Sequence, residues 1–214
     1  MYQPPHFREG DLVTQHALIR AHPLGLLITA GPGGPMANPV PFLLDSGMST
    51  RGTLQVHVAK ANPQWREIAA GAGPLVVFQG ADSYITPSWY ATKQETGKVV
   101  PTWNYAIVQV RGTARVVSDG DWLRTQIGKL TGGHEGKRSA PWTVEDAPET
   151  YIASQIKGII GVEIEITDID GKWKVSQNRP ASDIAGVEAG LQDPSEAHAN
   201  AEMAELVHQR GVNA

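Results

Sequence analysis

Leu24-Gly25-Leu26-Leu27-Ile28-Thr29-Ala30, then Gly31-Pro32-Gly33-Gly34-Pro35, then Asn38-Pro39-Val40-Pro41-Phe42-Leu43-Leu44 is the stretch that decides the fold. The first seven residues read as a buried strand, the glycine–proline run halts it, and a second strand over 38–44 follows directly. Two strands joined this tightly pair antiparallel, because a parallel pair needs a long crossover between them. Pro39 and Pro41 share parity and cannot donate to a ladder. Their side of the second strand is therefore an edge, or faces a ligand.

Working outward, Leu12, Val13, Ala17, Leu18 and Ala21 recur at helical spacing, with Gly10 and Asp11 as N-cap and His22-Pro23 as the stop. Downstream, Leu54, Val56 and Val58 alternate with Gln55, His57 and Ala59 on the opposite face of a strand. Asn62-Pro63 opens a short helix through Ile68, Asn as N-cap and Pro at the first helical position. Leu75 to Ala81 is a further strand, and residues 82–98 read as a long polar loop studded with aromatics. Val99 to Val117 carries the longest β signal, with Gly112 marking a bulge or bend. Trp122-Leu123, Ile127 and Leu130 mark an amphipathic helix ended by Gly132-Gly133, and Ile152, Ile156 and Ile159 mark another. Val162 to Ile166 is the last strand, and Ile169-Asp170-Gly171-Lys172 reads as a turn. Past Asn178-Arg179-Pro180 the chain is polar; residues 193–210 fit either a helix with Met203, Leu206 and Val207 on one side or a loose tail. About six strands without βαβ alternation imply one α+β domain around an antiparallel sheet expected to close.

Composition narrows the function classes. With 214 residues, 41% of them hydrophobic and 19% charged, there is material for a substantial core. Cysteine is absent, which removes disulfides, thiolate metal sites and a Cys nucleophile together. A mean hydropathy of −0.25 and the lack of a long apolar run predict no membrane span. The opening Met-Tyr-Gln-Pro-Pro-His-Phe-Arg-Glu lacks the pattern of a signal peptide, so a soluble cytoplasmic protein is expected. The seven His show no paired spacing; Arg138 stands where a partner for His134 would be needed, so no metal site is expected. Gly31-Pro32-Gly33-Gly34 lacks the dinucleotide spacing, Gly97-Lys98 lacks the rest of a phosphate loop, and no Ser sits in a nucleophile elbow.

Three local clusters remain. They are Val56-His57-Val58-Ala59-Lys60-Ala61-Asn62-Pro63-Gln64-Trp65, Gly97-Lys98-Val99-Val100-Pro101-Thr102-Trp103-Asn104-Tyr105, and Gly171-Lys172-Trp173-Lys174-Val175-Ser176-Gln177-Asn178-Arg179. Each joins a cation, an indole and an amide or hydroxyl at a strand end. Cations beside a helix start suit a phosphate, and indole and proline faces suit a planar ring. The competing reading of each cluster is a capped strand end with a packed Trp.

At these residues the chain resembles the PaiB-type, FMN-binding negative transcriptional regulators, which share the split β-barrel of the pyridoxamine-phosphate-oxidase-like flavoproteins. The likeness also runs through Tyr2-Gln3-Pro4-Pro5-His6-Phe7, Pro23 to Leu27, Ala140-Pro141-Trp142 and Ile159 to Ile164. It covers most of residues 1–191, read as a single FMN-binding domain; residues 192–214 read as a helical or flexible tail. Pro39 departs from the family pattern, which has a ring side chain there. The resemblance implies FMN held without a covalent bond at a homodimer interface. Carried over by position, Asn38 and Val40 flank the ring, and His57, Lys60 and Asn62 approach the ribityl phosphate. Lys98, Pro101, Thr102 and Trp103 come from the long loop, and Lys174 with Gln177 closes the site, in one version from the other subunit. The alternative function is an FMN-dependent oxidoreductase, since FMN carries hydride and single-electron chemistry. A net charge of −4 and the lack of a basic recognition helix argue against direct contact with DNA.

Overall fold

The structure, a computed structural model, describes residues 1–211. A single 3-10 turn at Pro5–Phe7 precedes β1 (Arg8–Glu9), α1 (Leu12–Ala21) and the expected hairpin of β2 (Leu24–Gly31) and β3 (Gly34–Pro41). Then come β4 (Leu43–Asp45), β5 (Thr53–Ala59), α2 (Gln64–Ala69), β6 (Leu75–Ile85), α3 (Thr92–Thr96) and β7 (Thr102–Val117). The remainder is α4 (Gly120–Glu135), α5 (Glu149–Lys157), β8 (Ile159–Lys174), α6 (Ala181–Gln192) and α7 (Ala201–Gly211). The strands hydrogen-bond in the order β3-β2-β6-β7-β8-β5-β4, with β1 added to β8. This path has two free ends, so the sheet is not the closed one expected.

β3 is one of those ends, as its prolines require. Leu26 faces Pro39 and Leu24 faces Pro41 across the antiparallel ladder. Proline has no N–H to exchange, so these are the non-hydrogen-bonded pairs, and Met36, Asn38 and Val40 donate to β2 instead. The outer side of β3 is left with prolines, which block the addition of another strand.

Two compact units are built on these elements. One comprises Met1–Gln15, Gln79–Val108 and the chain from Asp170 on; the other comprises His16–Phe78 and Gln109–Ile169. In the second, β5 and β8 pair from Thr53↔Glu165 to Ala59↔Ile159, and Leu54, Val56, Val162 and Ile164 are fully buried. Here Gly112 is needed for space: a Cβ on it would lie 2.1 Å from the Glu165 carbonyl oxygen. In the first unit, Trp89, Ile184, Val187, Leu191, Met203 and Val207 are buried.

Several stretches differ from the sequence reading: α4 runs through Gly132-Gly133 to Glu135, and Ile159, expected in a helix, begins β8. The loop expected at 82–98 is partly regular: β6 runs on to Ile85, a 3-10 turn covers Pro87–Trp89, and α3 ends at Gly97, which takes φ +67°. Ser83 is buried and donates to the His198 carbonyl, a contact from far along the chain that permits a polar residue inside a strand. The turn expected at 169–172 is instead the end of β8, where Gly171 pairs with Glu9 and Lys172 with Arg8. The 38–44 strand breaks at Phe42, whose N–H donates to the Pro23 carbonyl.

Gly112→Ala should destabilise the protein by about 1–3 kcal/mol, the range for overpacking a filled interior. Urea denaturation checks it; an unchanged midpoint would show that the two backbones can separate at no cost.

Candidate cofactor site

In the unit containing β5, most of the expected site residues turn out to be engaged in folding. Asn38 donates from Nδ2 to Gln64 Oε1 at 3.0 Å. Gln64, fully buried at the start of α2, donates in turn to the Leu27 carbonyl at 2.9 Å and lies within reach of Thr29 Oγ1 and the Met36 carbonyl. One amide thus clamps α2 to the hairpin, and Val40 beside it is buried. Asn62 accepts the Gln64 N–H at 3.0 Å, but the helix cap falls on Pro63, one residue later than expected. Lys60 is exposed, and its Nζ donates to the Lys157 carbonyl at 2.8 Å, at the end of α5. One N–H of the ammonium is taken there and two are left.

His57 lies on the face of β5 that α4 covers. Its Nδ1 sits 2.8 Å from Gln126 Oε1, and Gln126 is buried with its Nε2 unpartnered. Beside this pair is the buried carboxylate of Glu163. It accepts from Arg115 Nε at 2.7 Å, Gln55 Nε2 at 3.0 Å and Trp122 Nε1 at 3.3 Å. The indole of Trp122 comes so close to β8 that a Cβ at Gly161 would be 2.3 Å from it. Gln64, Gln126 and Glu163 were not singled out from the sequence. A carboxylate on a strand whose alternate positions are Val162 and Ile164 was the one visible signal.

In the other unit the two most distinctive sequence clusters meet. Asn104 donates from Nδ2 to Ser176 Oγ at 3.0 Å, both buried. Ser176 holds φ +67°, the one left-handed non-glycine residue among those described. Lys174 Nζ donates to Thr102 Oγ1 and to the Trp103 carbonyl. Burial pulls its ammonium below the usual lysine range, and the charges of Arg179 and Lys172 add to the shift. Lys172 is itself buried, 5.3 Å from the Tyr105 ring centroid and 5.6 Å from that of Tyr2. Gln177 is consumed locally: Oε1 accepts the Val175 N–H at 2.8 Å, and Nε2 donates to the His6 and Trp173 carbonyls. Lys98 and Pro101 are exposed, and the Lys98 N–H donates to Thr96 Oγ1.

Trp103 is 54% exposed. It therefore fills no core, contrary to the competing expectation, and meets the Tyr84 ring edge-on at 6.1 Å between centroids. Together with Gln79, Asp82, Tyr105 and Ile107 it lines a hollow of about 260 Å³. An open indole wall beside a cluster of three cations is a donor set that fits a planar, anionic ring system such as FMN. Among the described residues no group of His, Asp and Glu is placed to hold a metal ion, and no helix is long and apolar enough to cross a membrane.

Comparison with known proteins agrees with this chemistry. The family model described as "Putative FMN-binding domain" matches residues 1–168. The protease synthase and sporulation protein PAI 2 of Bacillus subtilis is 30% identical over 210 residues, covering 98% of each chain. An uncharacterised protein of Emericella nidulans is 35% identical over 246 aligned positions, 99% of this chain and 98% of that one. Among solved structures, the FAD and heme binding protein of Mycobacterium smegmatis superposes with a TM-score of 0.56 at 18% identity, over 78% of this chain and 72% of that one. The chain belongs to this FMN-binding domain family: it has an antiparallel split β-barrel fold with flanking helices, and FMN is its cofactor.

Proposed function

We propose that the protein is a cytoplasmic, FMN-binding homodimer that acts as a regulator of the PaiB type, and that each flavin is held by residues of both protomers. The observation that carries this reading is the convergence of Lys174, Thr102 and Trp103. There the Trp103 indole stays exposed although it meets the Tyr84 ring edge-on, and the Lys174 ammonium beside it is partly withdrawn from water. In this reading Asn38, Val40, His57, Lys60 and Asn62 come from one protomer, and Lys98, Pro101, Thr102, Trp103, Lys174 and Gln177 from its partner. Lys60 anchors the phosphate with its two remaining N–H donors. Trp103 packs by the ring, and Lys174 closes the site over it, where a positive charge tunes flavin chemistry. Bound FMN supplies one- and two-electron redox chemistry. Asn38 and Gln177 act on the ligand mainly by fixing the backbone around it, since their amides are engaged within the fold. With a net charge of −4, regulation runs through a protein or redox partner rather than through DNA phosphates.

Lys60→Ala should weaken FMN by about ten- to a hundred-fold, the loss of one charge-assisted contact, and riboflavin much less. Lys174→Met should weaken both flavins alike. Fluorescence titration with the two ligands separates these outcomes; equal losses at Lys60 would remove it from the phosphate.

Mixing the two variants tests the shared site. A heterodimer of Lys60→Ala with Lys174→Met has one doubly altered site and one wild-type site if each flavin is held by two protomers. Tight FMN binding should then return at half occupancy. No recovery, with heterodimers confirmed by mass spectrometry, places both lysines on one flavin within a single chain, and light scattering showing a flavin-loaded monomer ends the dimer reading.

Trp103→Phe should remove much of the tryptophan quenching seen on adding FMN while leaving the melting temperature of the ligand-free protein nearly unchanged, because the side chain is largely exposed. Full quenching in the variant would place the indole away from the ring.

A further inference from the structure

A second opening lies in the unit that carries β5, and none of the residues named for the cofactor lines it. It is a cleft of about 480 Å³ between the last turn of α1, β4 with the residues just before it, and the last turns of α4. That volume suits a small organic ligand. Its floor is apolar: Ile19, Phe42 and Leu44 are buried there, with Leu130 beside them. Its rim is basic, with Arg20, Lys129, His134 and Lys137.

The acidic groups nearby do not cancel this rim. Asp45 pairs with Lys129 alone, at 3.7 Å. Glu135 is turned to the loop beyond α4, accepting from Arg138 Nε at 3.1 Å and from the Trp142 N–H at 3.0 Å. That contact also pins the segment bearing Lys137. Three full charges facing one carboxylate stand out in a chain whose net charge is −4.

Cations at helix C-termini often do no more than cap the last carbonyls. Lys60 does so at the end of α5, with its Nζ 2.8 Å from the Lys157 oxygen. Arg20, His134 and Lys137 make no such bond: among the described residues the side chains of these three have no hydrogen-bond or ion-pair partner. The ends of α1 and α4 are closed by backbone instead, His22 N–H to the Leu18 carbonyl and Gly136 N–H to the Gly132 carbonyl.

We propose that this cleft binds a small amphipathic anion, an apolar chain or ring ending in a single carboxylate or phosphate, at a site separate from the flavin. The apolar body lies on Ile19, Phe42 and Leu44, and the head group meets Arg20 and Lys137.

Calorimetric titration of the FMN-loaded protein with decanoate, decyl phosphate and decanol tests this. Decanoate or decyl phosphate should bind at least ten-fold tighter than decanol, and whichever anion is preferred identifies the head group. The preference should fall about ten-fold in Arg20→Gln/Lys137→Gln. Gly133→Trp, at a helical position where a Cβ meets open space, should block the cleft without harming the fold. Flavin absorbance should stay unchanged throughout. The proposal is overturned by the absence of binding, by equal affinity for decanol, by affinities unaltered in both variants, or by release of FMN as the anion binds, which would make the cleft the flavin's own.

Discussion

A carboxylate on the inner strand of a sheet is affordable only if its charge is met, and the placement of α4 follows from how Glu163 is met. Burying an unpaired carboxylate costs several kcal/mol or forces it to take up a proton. Arg115, Gln55 and Trp122 answer it from β7, β5 and α4. Trp122 can reach it only because Gly161 has no side chain. Once its first turn is held there, α4 lies across β5, and Gln126 one turn later falls on His57. The charge therefore sets the helix, the helix brings Gln126 onto His57, and its C-terminal turns form one wall of the basic cleft. An apolar residue at 163 would pack α4 without fixing its register.

The other unit uses neutral groups for a similar purpose. Asn104 and Ser176 bond to each other in a dry interior, and the left-handed Ser176 turns the chain sharply after β8. That turn returns Gln177 to the Trp173 and His6 carbonyls and leaves Lys174 against Thr102 and Trp103. Left-handed conformation at a non-glycine residue costs of order 1 kcal/mol. Here the hydrogen bonds around it hold it in place, two residues from Lys174.

What was legible in the sequence was local. Prolines of one parity announced an edge strand, a spaced set of Leu and Ala announced α1, and Gly112 announced a special backbone position, read as a bulge or bend where the structure has a close approach to the Glu165 carbonyl. All three signals depend on a residue's own backbone or its near neighbours. What misled was also local. Asp170-Gly171 has the composition of a turn, yet it forms strand because β1 arrives from the far N-terminal end to pair with it. Ser83 looked like loop because its partner, the His198 carbonyl, is 115 residues away. The C-terminal segment reads as weakly helical, and its helix is held by burying Met203, Ala204 and Val207.

Site residues were harder to read than elements for a related reason. A lysine before Asn-Pro has the same sequence context whether it meets a phosphate or a helix end, and Lys60 does the second while keeping donors for the first. The amides at 38, 62, 64 and 177 carry the polar signature of a binding site because holding a backbone takes the same donors and acceptors as holding a ligand. Burial separates the two uses. Gln64, Asn104 and Gln126 are sealed inside and serve the fold, whereas Trp103 stays open to solvent and Lys174 is only part-buried. A flavin site needs both kinds: sealed amides that keep the backbone still, and open rings and cations that gain from the ligand's arrival. The first kind is built largely within the chain, and of the second the Trp103 indole is left open by it, which is the physical reason to look to FMN for what covers that ring.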